Sequence, residues 1–127
     1  MSANQAPLDK PNGQGFRRIF KATYCSILGF KAAFKHEAAF RQELLLFVLL
    51  SPLAWFISES LMDFVSLIVV MILVLIVELL NSAIEAVVDR VGLERHELSG
   101  RAKDLGSAAV TLSLVIAGIV WIAHIIK

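Results

Sequence analysis

Three acids and an amide, residue types common in active sites, recur at helical spacing inside an apolar stretch. Glu78, Asn81, Glu85 and Asp89 interrupt a run made mostly of Leu, Ile, Val and Ala. At about 100° per residue, all four lie within about 60° of Glu78, so they form one stripe along a helix. Carboxylates on such a stripe can accept a proton from a hydroxyl group or supply oxygen ligands to a divalent cation. Glu78 and Asn81 could instead hydrogen-bond a neighbouring helix, but two acids and an amide on one stripe favour function. We interpret Asp89, at the helix end, as a solvated or structural charge.

A further acid, Glu37, precedes the first long apolar segment, in the block EAAFRQE at 37–43. Glu37 and Arg41 are four residues apart and can simply pair on a helix surface. Alternatively, Glu37 supplies a carboxylate oxygen to a metal, with Glu85 as its partner on the other helix. Mg²⁺ takes one or two protein carboxylates together with substrate phosphates, so this small ligand set suits a nucleotide-bound metal.

The segment ERHELSGRAKD at 94–104 concentrates cations directly after the stripe. Lys103 and Arg101 could neutralise phosphates, and His96 or Glu94 could contact a sugar or base. A basic loop on the cytoplasmic side is also what membrane topology demands. The sequence has no Walker-type phosphate loop and no Gly-rich kinase signature. His96-Glu97 does not form a zinc-protease motif, because residue 100 is Gly rather than His.

Composition indicates that lipid is the solvent for much of the chain. Of 127 residues, 57% are hydrophobic and only 18% are charged, and the mean hydropathy is +0.74. A soluble domain this small needs proportionally more polar surface. The 12 Lys and Arg against 11 Asp and Glu leave a net charge of +1, which disfavours nucleic acid as a partner. The single cysteine, Cys25, cannot form an internal disulfide, and His36 and His124 are isolated in the sequence.

Hydropathy periodicity predicts an all-α integral membrane protein. We expect a disordered tail over 1–15 and a single membrane-embedded domain over 16–127. The domain begins with an amphipathic surface helix at 16–35, in which apolar and basic residues take different faces. Three transmembrane helices follow near 40–58, 61–90 and 104–126. Lys and Arg cluster before the first span and between the second and third, so the N-terminus is predicted to be cytoplasmic. Glu78 then lies about 26 Å along its helix, at the depth of a lipid head group.

Three blocks carry a resemblance to a known family. EAAFRQE at 37–43, ELLNSAIEAVVDR at 78–90 and HELSGRAKDLGSAAV at 96–110 resemble the prokaryotic diacylglycerol kinases, which are small integral-membrane lipid kinases. The likeness extends from about Phe16 to the C-terminus. It implies ATP- and Mg²⁺-dependent phosphorylation of diacylglycerol to phosphatidic acid at the bacterial cytoplasmic (inner) membrane. It also implies a homotrimer in which each site is built from more than one subunit.

The resemblance also implies roles for individual residues. By this resemblance, Glu78 is expected to be the general base and Glu37 and Glu85 the pair that binds the metal. Asn81 is expected to orient the reacting groups. The implied ATP contacts are Arg18, Glu37, Glu85, Glu94, His96, Lys103 and Asp104. The implied lipid contacts are Arg18, Ser26, Arg41, Glu78 and Ser107. The stretch YCSILGF at 24–30 departs from the aromatic and basic run that is usual there, so Cys25 receives no role.

Two alternative functions belong to different classes. An undecaprenol kinase of the same superfamily would use the same head-group chemistry, although the EAAFRQE block favours diacylglycerol. A small transporter or structural membrane subunit would use the acidic stripe to conduct protons or to pair helices, and would phosphorylate no lipid.

Overall fold

Four helices make up the fold seen in the computed structural model, which describes residues 14–127. They are α1 (Phe16–His36), α2 (Ala38–Ile57), α3 (Leu61–Val91) and α4 (Glu97–Ile125). The predicted all-α fold is confirmed, since residues 14–127 contain no strand. Most of the predicted N-terminal tail, residues 1–13, lies outside the described residues.

Helices α2, α3 and α4 are each long and apolar enough to cross a membrane, as the sequence predicts. The second and third extend into flanking charged residues: α3 runs to Val91, and α4 begins at Glu97, ahead of the span expected near residue 104. Most of their large apolar side chains are exposed in the single chain. The buried apolar core is small, and consists of Ala33, Phe40, Ala54, Leu67, Met71 and Val74. Lipid or other protein chains must therefore cover the remaining apolar surface.

The described residues divide into two compact units, one that ends at Ala32 and one that spans Ala33–Lys127, with the boundary inside α1. Helix α1 ends at His36, and Glu37, whose backbone is extended, separates it from α2. The Arg41 Nη1 atom donates to the carbonyl oxygens of Phe34 at 2.8 Å and Lys35 at 3.2 Å. These bonds satisfy carbonyls that the last turn of α1 leaves without helical partners. Placement of α1 on a membrane surface stays a prediction.

Local side-chain caps fix where α3 and α4 begin. Ser60 accepts a hydrogen bond from the backbone N–H of Asp63 at 3.1 Å, and the Asp63 carboxylate accepts one from the N–H of Glu59 at 3.2 Å. This exchange resembles a capping box and satisfies two donors at the start of α3. His96 caps α4 in the same manner, since its Nδ1 atom accepts from the N–H of Leu98 at 3.1 Å.

Helix α3 packs against both α2 and α4, and more extensively against α4. At its Leu61 end, Lys127 Nζ lies 2.8 Å from Asp63 Oδ2 and 3.7 Å from Glu59 Oε2. His124 Nε2 lies 3.6 Å from Asp63 Oδ1 and 3.3 Å from Ser66 Oγ. The hydrogen bond to Asp63 raises the pKa of Lys127 above its ordinary value. Although His124 is isolated in the sequence, in the structure it belongs to this Asp63–Lys127 cluster, which joins the ends of α3 and α4.

Candidate active site

The polar stripe predicted on α3 is buried at its centre. Glu78 is 4% exposed and Asn81 is 9% exposed, although both lie in a helix surrounded mostly by apolar side chains. Ser82 and Glu85, further along the same stripe, are half-buried. An acid and an amide buried in a membrane helix are costly unless partners or a ligand compensate them, so these residues mark the candidate site.

Acidic side chains from α2 and the α1–α2 junction join the stripe. The like charges of Glu85 and Glu37 act on Glu78, and the charge of Glu78 acts on Glu43 of α2. We name these residues the carboxylate cluster: Glu37, Glu43, Glu78 and Glu85. Sequence reasoning gave no role to Glu43; its place in the EAAFRQE block was the only available signal. One of its carboxylate oxygens, Oε2, is buried without a hydrogen-bond partner.

Asn81 connects the stripe to α4. Its Nδ2 atom donates to Glu85 Oε1 at 3.4 Å, at the long end of hydrogen-bond distances. Its Oδ1 atom is buried without a hydrogen-bond partner and faces Gly106 of α4. The amide is therefore held between two helices by packing more than by hydrogen bonds.

The carboxylate cluster suits a divalent cation. Within residues 14–127, no Lys, Arg or His forms an ion pair with any of the four carboxylates. Like charges gathered in a partly buried site need compensation, which a cation can supply. The same residues contain no group of three or more His, Cys, Asp or Glu side chains arranged to hold a metal. A metal bound here would thus take few protein ligands and complete its shell with substrate oxygens and water, as Mg²⁺ commonly does.

A second feature, an open pocket of about 390 Å³, lies where α3 ends and α4 begins. It brings together three of the predicted ATP contacts, Glu94, His96 and Lys103. Its volume is within the range of small-molecule sites. Lys103 Nζ donates to Asp89 Oδ1 at 2.7 Å, and the charge of Glu85 also acts on Lys103. Asp89 is thus a structural charge, as expected, and Lys103 connects the pocket electrostatically to the carboxylate cluster.

Two of the other predicted contacts lie on α4 outside the pocket. Asp104 and Ser107 are exposed on α4, and neither lines the pocket. Ser26 donates to the carbonyl of Ala22 within its own helix at 3.0 Å. Arg18 is exposed, and like Ser26 it belongs to the compact unit that ends at residue 32.

Comparison with known proteins gives the site its context. The family described as prokaryotic diacylglycerol kinase matches residues 24–125 of the chain. The chain is 53% identical over 110 residues to a diacylglycerol kinase of Escherichia coli K12, covering 87% of this chain and 90% of the relative. It is 51% identical over 107 residues to a diacylglycerol kinase of Haemophilus influenzae, covering 84% and 91%. A Pseudomonas aeruginosa diacylglycerol kinase is 54% identical over 107 residues, covering 84% and 87%.

The chain belongs to the prokaryotic diacylglycerol kinase family. This confirms the family that the three sequence blocks resemble, and with it the prediction of an enzyme. The family match spans both the carboxylate cluster and the pocket, but it does not reach Arg18. Together with three helices fit to span a bilayer, membership makes the chain a membrane protein and disfavours the transporter and structural-subunit alternatives.

Proposed function

We propose that the protein transfers the γ-phosphoryl group of ATP to the primary hydroxyl of diacylglycerol and releases phosphatidic acid and ADP. The observation that carries this proposal is the burial of Glu78 inside a carboxylate cluster on a helix long enough to span a membrane. Membership of the family and the names of the relatives support the choice of diacylglycerol.

In this mechanism Glu78 accepts the proton of the lipid hydroxyl while the oxygen of that hydroxyl attacks the γ-phosphorus. The new oxygen–phosphorus bond forms while the bond from the γ-phosphorus to the β,γ-bridging oxygen breaks, and ADP leaves. Such transfers depend mainly on in-line positioning and charge neutralisation, so a phosphate loop is not required. Asn81 orients the reacting groups, because it lies one helical turn from Glu78 and bonds Glu85.

Glu37 and Glu85 are the proposed ligands of a Mg²⁺ ion carried by ATP. When bound, Mg²⁺ neutralises charge on the phosphate oxygens. The pocket lined by Glu94, His96 and Lys103 is the proposed site for the rest of the nucleotide, with Arg18 and Asp104 as further contacts. To bind a phosphate, Lys103 must first release the Asp89 carboxylate. Their ion pair is about half exposed, so this exchange costs little.

On the lipid side, we propose that the hydroxyl reaches Glu78 at the cytoplasmic face of the inner membrane, with the N-terminus also cytoplasmic. Ser26, Arg41 and Ser107 are the proposed lipid contacts, along with Arg18. Arg41 uses only Nη1 for the α1 carbonyls, which leaves Nε and Nη2 for a lipid oxygen. We further propose a homotrimer; the extensive exposed apolar surface of α2, α3 and α4 supports association with other copies as well as with lipid.

Replacement of Glu78 by Gln tests the general base. Gln keeps the size and polarity of the side chain but cannot take up the proton, so turnover should fall about 10²- to 10⁴-fold. The measurement is transfer of labelled phosphate from ATP to diacylglycerol in mixed micelles, with circular dichroism and size-exclusion chromatography to verify folding and assembly. Glu59→Gln, at the opposite end of α3, is the matched control and should keep normal turnover. Near-normal turnover in Glu78→Gln would exclude Glu78 as the base.

The identity of the lipid is tested by offering diacylglycerol and undecaprenol to the same preparation. We expect a clear preference for diacylglycerol in kcat/KM. A preference for the polyisoprenol would assign the chain to the alternative kinase activity, and no phosphorylated lipid of either kind would reject the proposal.

A further inference from the structure

Helix α4 approaches α3 closely at Gly106, which is buried and lies against Asn81. A Cβ atom at this position would overlap Asn81 Oδ1 and lie 3.3 Å from Asn81 Cγ. At the other glycines among residues 14–127, an added Cβ would meet no atom within 4 Å. Among the glycines of the described chain, Gly106 therefore differs in that the space of its absent side chain is occupied by the Asn81 amide.

The space at Gly106 determines how the Asn81 amide is oriented. With Oδ1 lodged against Gly106, the Nδ2 atom points to Glu85 Oε1. No hydrogen bond to Oδ1 holds the amide in this orientation, so packing against Gly106 must do so. A side chain at residue 106 would displace Oδ1 and turn the amide. Because the bond to Glu85 is already 3.4 Å long, a small turn is enough to break it.

We infer that Gly106 is a positioning residue for the reaction: its lack of a side chain orients Asn81 and, through Asn81, the Glu85 carboxylate. The assignment of Glu85 to the metal rests on the proposed function, whereas the contact between Gly106 and Asn81 does not. Partners that hold metal ligands in place affect metal affinity strongly, although they never touch the ion.

A purely structural role for Gly106 makes a different prediction. Small residues let membrane helices approach closely, and Gly106→Ala could simply push α3 and α4 apart. That effect would lower stability and turnover without changing the Mg²⁺ requirement, because it would not act through the hydrogen bond from Asn81 to Glu85. The positioning role requires the Asn81 amide, so it should vanish when the amide is removed.

The first measurement is the Mg²⁺ concentration that gives half-maximal turnover of the full-length protein in mixed micelles. Gly106→Ala should raise this concentration about tenfold or more, the usual consequence of losing a partner of a metal ligand. Gly118→Ala is the matched control, because it adds the same methyl group to α4 where nothing lies within 4 Å. The control should leave the Mg²⁺ requirement unchanged. A fall in kcat for Gly106→Ala at an unaltered Mg²⁺ requirement would overturn the positioning role.

The second measurement is thermal unfolding, which needs no activity. Gly106→Ala should lower the unfolding temperature by several degrees in the natural background, but not when introduced into Asn81→Ala. If Gly106→Ala does not fold, the double variant should recover folding, because truncating the side chain of residue 81 removes the overlap. An equal loss in both backgrounds, or a double variant that also fails to fold, would overturn the inference. If the natural protein phosphorylates no lipid, the proposed function fails, and the unfolding cycle still tests the contact.

Discussion

Glu85 connects the two halves of the site through its charge. Its carboxylate accepts a hydrogen bond from Asn81, and its charge acts on both Glu78 and Lys103. Glu78 belongs to the proposed proton-transfer step and Lys103 to the nucleotide pocket. A change at Glu85 should therefore disturb nucleotide and metal binding before it disturbs the base.

We expect Glu85→Ala to raise the Mg²⁺ requirement more than about tenfold, since it removes one of the two proposed protein ligands of the ion. Turnover at saturating Mg²⁺ should recover in part, because Glu78 is unchanged. The check is an Mg²⁺ titration of phosphatidic acid formation at fixed ATP, with Glu59→Gln as the acidic control. A titration curve that matches the natural protein would remove Glu85 from the metal pair.

At the scale of elements, sequence periodicity predicts which side chains share a helix face but not which helix they meet. The stripe of Glu78, Asn81 and Glu85 follows from residue spacing alone, and so does its burial in an apolar span. The contact between Gly106 and Asn81 depends on how far α4 is displaced along α3. No spacing within one helix records that displacement, so the sequence could not reveal it.

Some side chains also have partners that sequence reasoning did not assign. The spacing allows Arg41 to pair with Glu37, but in the structure its Nη1 atom bonds two carbonyls of α1. Its lipid contact stays a prediction. Glu43 belongs to the EAAFRQE block and has no role predicted from the sequence, yet the charge of Glu78 acts on its carboxylate. Long polar side chains near helix ends have several satisfying partners within reach, and only the three-dimensional arrangement selects among them.

The Asp63–Lys127 cluster predicts an alkaline loss of stability. Asp63 raises the pKa of Lys127 above its ordinary value of 10.5, so folding favours the protonated amine. This stabilisation is fully present below the ordinary pKa and is lost as pH rises through the raised one. Unfolding temperatures in detergent should therefore fall less steeply above pH 10.5 for Lys127→Met than for the natural protein. Lys35→Met is the control and should keep the full pH dependence; an identical profile for Lys127→Met would contradict the prediction.

At the scale of the whole molecule, the proposed site residues fall into two groups. Residues 33–127 contain the carboxylate cluster and the pocket, and the unit ending at residue 32 contains Arg18 and Ser26. In a homotrimer with shared sites, Arg18 of one subunit would complete the site that contains Glu78 of another.

Mixing inactive variants tests this arrangement. Glu78→Gln and Arg18→Met subunits should each be nearly inactive alone. When they are unfolded together in equal amounts and reassembled, about a quarter of the sites should combine an intact Glu78 with an intact Arg18 from a neighbour. The readout is phosphatidic acid formation per subunit, with each variant reassembled alone as the control. If mixed oligomers form and activity does not return, each site takes both residues from one chain.

Helix α3 contains neither Pro nor Gly over its 31 residues, unlike α2, which contains Pro52, and α4, which contains three glycines. Such a helix resists bending. It holds Glu78 at a fixed height of about 22 Å above Asp63, where the cluster with Lys127 anchors the opposite end. The length of the helix therefore sets the distance between the Asp63–Lys127 cluster and Glu78 across the bilayer. If the proposed reaction takes place at this depth, we expect the substrate hydroxyl to lie level with the carboxylate in a membrane of matching thickness and to lie above or below it in a thicker or thinner one.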